Sequence, residues 1–142
     1  MDYRETPPPP QLAGLIKTRW TLAGDGAADQ GIEQKATPDG CIEIIRRTRG
    51  RSRWDGDQPA SFVVGLVDRP QPFEISGDAA LEALRLWPWA WGLIGDIPLA
   101  ALHGHRHEPA RAATLVRTPR RDAAAPLSKA AAFSGRIRNP GR

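Results

Sequence analysis

The sequence predicts a mainly β, antiparallel domain built from short strands and tight turns. Glycine and proline contribute 14 residues each to a chain of 142, which favours many turns over a helical bundle. Short runs of alternating or continuous apolar residues lie between these turn residues, as strands do. The clearest case is 37–45, where Pro-Asp-Gly suits a β-turn and leads directly into the isoleucine-rich run CIEII.

The first half of the chain contains an arm and three predicted strands. Residues 1–11 include four consecutive prolines and are predicted to form an extended arm, in polyproline II conformation at the prolines. A first strand is predicted at 14–23, with four side chains on one face: Ile16, Thr18, Trp20 and Leu22. Residues 31–36 form a second strand that runs into the Pro-Asp-Gly turn, and 41–48 are its predicted hairpin partner.

Glu43 is the single carboxylate within the apolar run that follows the turn. One interpretation places its side chain in solvent, on the outer face of a half-exposed strand. The other places it inside the domain, in contact with a ligand. The sequence leaves both interpretations open.

Three more strands are predicted in the second half. Residues 61–67 (SFVVGLV) form a buried strand in which Gly65 marks a bulge or a close approach of another segment. A short strand follows at 72–76. The run 79–87 (AALEALRLW) has the composition of a helix and the alternation of a strand, and the tight turns on both sides favour the strand.

One or two short helices are predicted at the end of the folded part. Residues 88–95 suit a short helix, since Pro88 fits a first turn and Gly95 fits a helix end. A second helical turn is predicted beyond it, with Asp96 as a candidate cap and a small apolar face that ends at Leu102.

The charge divides the chain into a folded part and a basic tail. Residues 1–102 contain 11 Lys and Arg against 14 Asp and Glu, whereas 103–142 contain 9 against 2. The tail is rich in alanine, arginine and proline, with few large apolar side chains to offset the entropy of ordering it. The predicted organisation is therefore an arm (1–11), a folded domain (12–102) and a disordered tail (103–142).

The single cysteine excludes an internal disulfide and fits a reducing compartment. The polar N-terminus does not have the pattern of a signal peptide, and no run is apolar and long enough for a membrane span. We therefore expect a cytoplasmic protein with no membrane partner.

The segment 46–53 (RRTRGRSR) holds five arginines and raises the alternative of a basic nucleic-acid-binding module. The segment is short and has no interleaved aromatic residues or helix. It therefore predicts non-specific phosphate contact at most. We expect no specific DNA binding by this chain alone.

The other alternative is a small cupin-type, metal-dependent enzyme. Its candidate metal ligands are His103, His105 and His107, imidazoles at two-residue spacing that suit zinc or nickel on a strand. The simpler interpretation is a histidine-rich linker, because the segment lies where order is predicted to end. The sequence has no nucleophile–base arrangement and no nucleotide-binding loop, so we expect neither enzymatic activity nor a cofactor.

Three segments together resemble the N-terminal domain of a group of bacterial AraC-type transcriptional regulators. They are PDGCIEI at 38–44, FVVGLVDRP at 62–70 and LRLWPWAWGLIGDIPLAAL at 84–102. The resemblance covers roughly residues 7–102. It implies a cupin-like β-barrel or sandwich that senses a small-molecule effector or forms a homodimer. Full-length relatives continue into a pair of helix-turn-helix units, which nothing after Leu102 resembles, and we expect a truncated or frame-shifted regulator.

Strand parity then selects four candidate ligand-binding residues. If an effector binds inside the barrel, Glu43 and Arg85 are the expected polar contacts, and Trp20 and Trp87 the expected walls. These four come from the alternation of side chains and are not carried over from known sites of the family.

Overall fold

The computed structural model describes residues 1–95 and 98–102, and within them the chain is mainly β. The helical elements are one α-helix, α1 (Pro88–Ile94), and two 3₁₀ turns at Pro10–Leu12 and Leu99–Leu102. The eight strands of this described part are β1 (Asp2–Thr6), β2 (Ile16–Ala23), β3 (Gly31–Ala36), β4 (Ile42–Arg49), β5 (Ser52–Arg53), β6 (Ser61–Val64), β7 (Gln71–Ser76) and β8 (Ala80–Leu86).

The strands form two antiparallel sheets rather than one closed barrel. The larger sheet has five strands in the order β1-β2-β8-β4-β6, and the smaller has three in the order β3-β7-β5. The smaller sheet covers one face of the larger, and α1 covers the other. The predicted mainly β, antiparallel sandwich with short C-terminal helices is therefore confirmed.

A first apolar core lies between the five-stranded sheet and α1. Alternate residues of the sheet point to this side, and the helix contributes Trp91, whose exposed fraction is 2 %. The buried members are Leu12, Leu15, Ile16, Ile42, Ile44, Val63, Leu84, Leu86, Ala90, Trp91 and Leu102. Because the smaller sheet covers the other side, both faces of the central strands β4 and β8 are covered.

A second core lies between the two sheets. Its buried members are Trp20, Ile45, Trp54, Phe62, Val64, Ile75, Ala79, Leu81 and Ala83. The smaller sheet adds partly buried side chains that alternate with exposed ones along its strands, namely Ile32, Ala36 and Phe73. This core surrounds the cavity described below.

The predicted hairpin between 31–36 and 41–48 is wrong. β3 pairs with β7, with Ile32 opposite Ile75, whereas β4 lies in the other sheet between β8 and β6. The Pro-Asp-Gly turn therefore carries the chain from one sheet to the other. Its turn chemistry is as expected: Gly40 has φ +70°, and Asp39 Oδ1 accepts a hydrogen bond from the Cys41 amide at 2.9 Å.

The N-terminal arm belongs to the sheet. Residues 2–6 form β1, which pairs along its length with β2, so that Tyr3 lies opposite Leu22. A register shift between Ile16 and Thr18 also separates residues predicted to share a face. Because of it, Ile16 packs in the first core and Trp20 in the second.

Three other predictions of the second half are confirmed. The ambiguous segment 79–87 is strand β8, and the short helix begins at Pro88, with Gly95 as its C-terminal cap. Gly65 is a point of close approach, because the carbonyl of Leu102 occupies the space that a side chain would need. Asp96 and the predicted disordered tail, 103–142, lie outside the described residues.

The arginines of 46–53 support the fold at one end of the sandwich. Arg47 donates to Ser52 Oγ at 2.7 Å, and Arg49 donates to the carbonyl of Asp78 at 2.7 Å. Arg51 donates to the carbonyl of Ala28 at 2.9 Å. These bonds join β4 and the following turn to β5 and to the loops that contain Ala28 and Asp78, so three arginines of the basic segment have a structural use.

Two glycines with positive φ give a matched test of these turns. Gly50→Ala should lower the free energy of unfolding by about 2–4 kcal/mol, because both the backbone and the space oppose a side chain. Gly50 has φ +76°, and an added Cβ would lie 2.6 Å from Ala79 Cα. Gly40→Ala is the control and should cost about 1 kcal/mol, since its added Cβ meets no atom within 4 Å. Urea unfolding measures both, and equal losses would contradict the steric argument.

Candidate ligand-binding site

A cavity of about 230 Å³ lies between the two sheets. Its apolar wall comes from both sheets and the loops that join them: Ile45, Trp54, Phe62, Val64, Val67, Phe73, Ile75 and Leu81. Its polar residues include Gln34, Asp39, Glu43 and Arg85. An apolar cavity with a few converging polar groups is the usual form of a small-molecule site, although this one is smaller than most.

Glu43 and Arg85 form the polar centre of this cavity. They are directly opposite each other on β4 and β8, so both side chains point to the same face of the sheet. Glu43 Oε1 accepts hydrogen bonds from Arg85 Nε at 2.8 Å and from Trp20 Nε1 at 3.1 Å. The side chains of Glu43 and Arg85 are 18 % and 19 % exposed. Glu43 therefore lines the interior and does not extend freely into solvent.

Arg85 also binds two further carboxylates. Its Nε lies 3.1 Å from Asp39 Oδ2, and its Nη1 lies 3.3 Å from Glu5 Oε1. Tyr3 donates its hydroxyl hydrogen to the same oxygen of Glu5. One guanidinium thus holds together β1, β4, β8 and the Pro-Asp-Gly turn.

The electrostatics of the pair follow from burial. Burial raises the pKa of Glu43 above its ordinary value, and the hydrogen bond from Arg85 opposes this only in part. Burial alone would lower the pKa of Arg85, but the hydrogen bond and charge of Glu43, with the charge of Asp39, raise it. Arg85 therefore stays charged, while Glu43 is the group whose protonation responds to pH.

The raised pKa of Glu43 sets a direction for the pH dependence of stability. The folded state binds the Glu43 proton more tightly than the unfolded state, whose carboxyl has its ordinary value of 4.5. The Glu43 contribution should therefore be most favourable near and below pH 4.5, and should decrease as pH rises through the folded-state pKa. Urea unfolding between pH 4 and 8 should show this trend, with a smaller slope in Glu43→Gln.

Three of the four residues selected from strand parity meet at the cavity. Trp20, Glu43 and Arg85 all line it, and Trp20 and Arg85 both donate hydrogen bonds to Glu43. Trp87 does not line it, and its predicted place is wrong. Because β8 ends at Leu86, Trp87 is instead the N-cap residue of α1, and the strand alternation no longer applies to it.

Trp87 is part of a separate aromatic cluster. Its ring stacks on Trp89, with centroids 5.3 Å apart and planes inclined by 6°. Its Nε1 donates to the carbonyl of Ala13 at 3.1 Å, and Lys17 Nζ lies 5.3 Å from the ring centroid. These contacts attach the start of α1 to β2 and to the segment before it.

Most of the cavity wall was not predicted from the sequence, including four residues whose origin is informative. Gln34, Trp54 and Phe73 come from the smaller sheet and its connections, and Asp39 comes from the turn. The inward direction of Gln34 could have been predicted from the alternation along β3. Gln34 lies on the inward face of the strand, between the exposed residues Glu33 and Lys35. The others depend on which strands pair, which local alternation does not reveal.

His103, His105 and His107 lie outside the described residues. Within residues 1–95 and 98–102, no three His, Cys, Asp or Glu side chains are arranged to hold a metal ion. The described helices also include none with the length and apolar character needed to cross a membrane.

The fold and site define a two-sheet β domain with a partly polar cavity between its sheets. The chain belongs to the family described as Domain of unknown function (DUF6597), whose model matches residues 4–108. The match begins within β1, so it includes most of the N-terminal arm as well as the sheet that the arm joins. Comparison with curated proteins and with solved structures gave no match.

Proposed function

We propose that this domain is the effector-sensing module of an AraC-type transcriptional regulator and binds a small molecule between its sheets. The observation that carries the proposal is the cavity, with Glu43, Arg85 and Trp20 hydrogen-bonded at its polar centre. Buried, converging polar groups in an otherwise apolar cavity orient a ligand and supply specificity.

The segments that resemble AraC-type regulators all contribute to the cavity wall. Segment 38–44 supplies Asp39, Cys41 and Glu43; segment 62–70 supplies Phe62, Val64, Gly65 and Val67; and segment 84–102 supplies Arg85. Each segment of the resemblance thus has at least one residue in the cavity wall, although other parts of the wall, such as Trp54 and Phe73, lie outside all three segments. This overlap supports a sensing role.

The topology suggests how binding would be transmitted. None of the described strand pairings crosses between the two sheets, which are held together by connecting segments, by the second core and by side-chain contacts such as that of Arg47 with Ser52. A ligand that contacts both sheets fixes their relative position, and it stabilises the folded state by an amount that grows with its concentration above Kd. A second copy of the chain is the proposed partner that responds to this change.

Binding can be tested by thermal unfolding of the purified chain against a panel of small metabolites. Val64→Phe places a ring in the cavity, whereas Arg69→Phe adds the same ring on an exposed loop. Compounds that raise Tm in the wild type and in Arg69→Phe, but not in Val64→Phe, support the site. A panel with no such compound would count against it.

The regulatory part of the proposal needs a transcriptional readout. The chain is fused to the helix-turn-helix pair of an AraC-type regulator, and a reporter is measured with each compound that raised Tm. We expect the reporter to respond in the wild-type fusion and not in the Val64→Phe fusion. Binding without any change in reporter output would leave a ligand-binding domain and remove the regulatory role.

A further inference from the structure

We infer that the cavity selects a small organic cation, an amine with an apolar body, whose ammonium group binds beside Glu43. The inference rests on the proposed function in one respect, namely that the cavity is the ligand site. The inference adds the charge and the shape of the ligand to that function. Three features of the described residues support it.

The first feature is the balance of charge at the polar centre. The guanidinium of Arg85 is bound by three carboxylates, from Glu43, Asp39 and Glu5, at 2.8, 3.1 and 3.3 Å. An anionic ligand would compete with these carboxylates for one cation and would be repelled by them. Lys35 also lines the cavity, but it lies on the exposed side of β3, where solvent screens its charge.

The second feature is a set of hydrogen-bond acceptors that remain available. Both hydrogen bonds to Glu43 use Oε1, and no donor within residues 1–95 and 98–102 reaches its other oxygen, Oε2. The side-chain amide of Gln34, on the facing sheet, likewise forms no hydrogen bond within this described part. An ammonium group has three donors and no acceptor, so it matches a carboxylate oxygen and an amide oxygen together.

The third feature is the aromatic surface around these acceptors. The rings of Tyr3 and Trp20 lie 5.9 Å apart beside Glu43, and Trp54 stacks on Phe73 at 5.7 Å on the opposite wall. The faces of these rings supply apolar contact area for the body of a ligand. Next to the carboxylates, they suit a molecule whose apolar part extends from a charged head group.

The dimensions of the cavity limit the size of the ligand. At about 30 Å³ per water, about 230 Å³ corresponds to roughly eight waters, or a molecule of about ten non-hydrogen atoms. Arg85 and Leu81, both in the cavity wall, lie about 13 Å apart along β8, at roughly 3.3 Å per residue. The cavity therefore fits an elongated molecule with its polar group at the Arg85 end.

Three probes of equal length test the inference: 3-phenylpropylamine, 3-phenylpropanol and 3-phenylpropanoate. Their affinities for the full chain at pH 7 are measured by isothermal titration calorimetry. We expect the amine to bind about tenfold more tightly than the alcohol, and the carboxylate more weakly than either. Glu43→Gln should remove the preference for the amine, so that the amine and the alcohol bind this variant within about twofold of each other. Asp39→Asn, at the rim, provides a second variant with a smaller loss.

The outcomes separate this inference from the proposed function. If the alcohol binds as tightly as the amine, or the carboxylate more tightly, the cation preference is wrong and the cavity remains a ligand site. An amine preference that persists in folded Glu43→Gln and Asp39→Asn also overturns it. Failure of all three probes overturns the inference about ligand class, whereas the metabolite panel and Val64→Phe decide the proposed function separately.

Discussion

Arg85→Met should lower the free energy of unfolding at pH 7 by about 2–3 kcal/mol, a large effect for a single polar residue. The substitution keeps an unbranched side chain on β8 but leaves Glu43, Asp39 and Glu5 without the guanidinium that neutralises them. Removing one partner of a buried ion pair costs about 3–5 kcal/mol, because the other charge stays buried and uncompensated. We expect less here, since Arg85 is 19 % exposed and solvent partly screens the carboxylates.

Two further variants separate electrostatics from packing. Arg85→Met combined with Glu43→Met removes both members of the central pair and should recover part of the lost stability, because Asp39 and Glu5 stay unpaired and Trp20 Nε1 loses its acceptor. Arg4→Met removes an exposed pair with Asp2 and should leave the urea midpoint unchanged. If the double variant is no more stable than Arg85→Met alone, the loss comes from packing and not from unpaired charge.

The sequence predicted most elements correctly because their signals are local. Alternation along β8 and the flanking turns identified a strand despite its alanine and leucine content. Pro88 marked the start of α1 for a local reason too, because its ring restricts its own backbone. Gly95 marked the end, although its φ is −84° and the structure requires glycine there to leave room for the Trp91 ring. Strand parity also placed Glu43 and Arg85 on one face, where they are direct cross-strand partners.

The errors have one physical origin, which is that strand pairing depends on distant residues. The Pro-Asp-Gly turn can close a hairpin or carry the chain between sheets, and its sequence is the same in both cases. The arm likewise becomes β1 only because β2 has a free edge for it to join. Trp87 shows a related limit, since parity predicts a direction only while the strand continues.

The same alternation connects the two cores to the candidate site. On β8, Leu84 and Leu86 point to the first core, whereas Arg85 between them points to the cavity. On β4, Ile42 and Ile44 flank Glu43 in the same way. The packing of α1 against one face of the sheet therefore supports the backbone positions of the polar pair on the other face.

Trp91 is the side chain of α1 on which this support most depends. Trp91→Ala should lower the free energy of unfolding by about 3–5 kcal/mol, a large fraction of the stability of a small domain. The indole is 2 % exposed and packs in the first core with residues of β4 and β8. Gly95 leaves room for the ring, because an added Cβ there would collide with it. The cavity left by the deletion is enclosed by the sheet and cannot collapse fully.

Trp89→Ala is the matched control, in the same helix and with the same deletion. Trp89 is 62 % exposed, stacks on Trp87 and donates to the carbonyl of Gly14 at 2.6 Å. Its loss should cost about 1 kcal/mol, from one hydrogen bond and one ring contact. Urea unfolding of both variants gives the comparison.

Because α1 supports β4 and β8 from behind, Trp91→Ala should also weaken binding of an amine probe, whereas Trp89→Ala should not. Equal losses of stability in the two variants would mean that α1 does not pack on the sheet through Trp91.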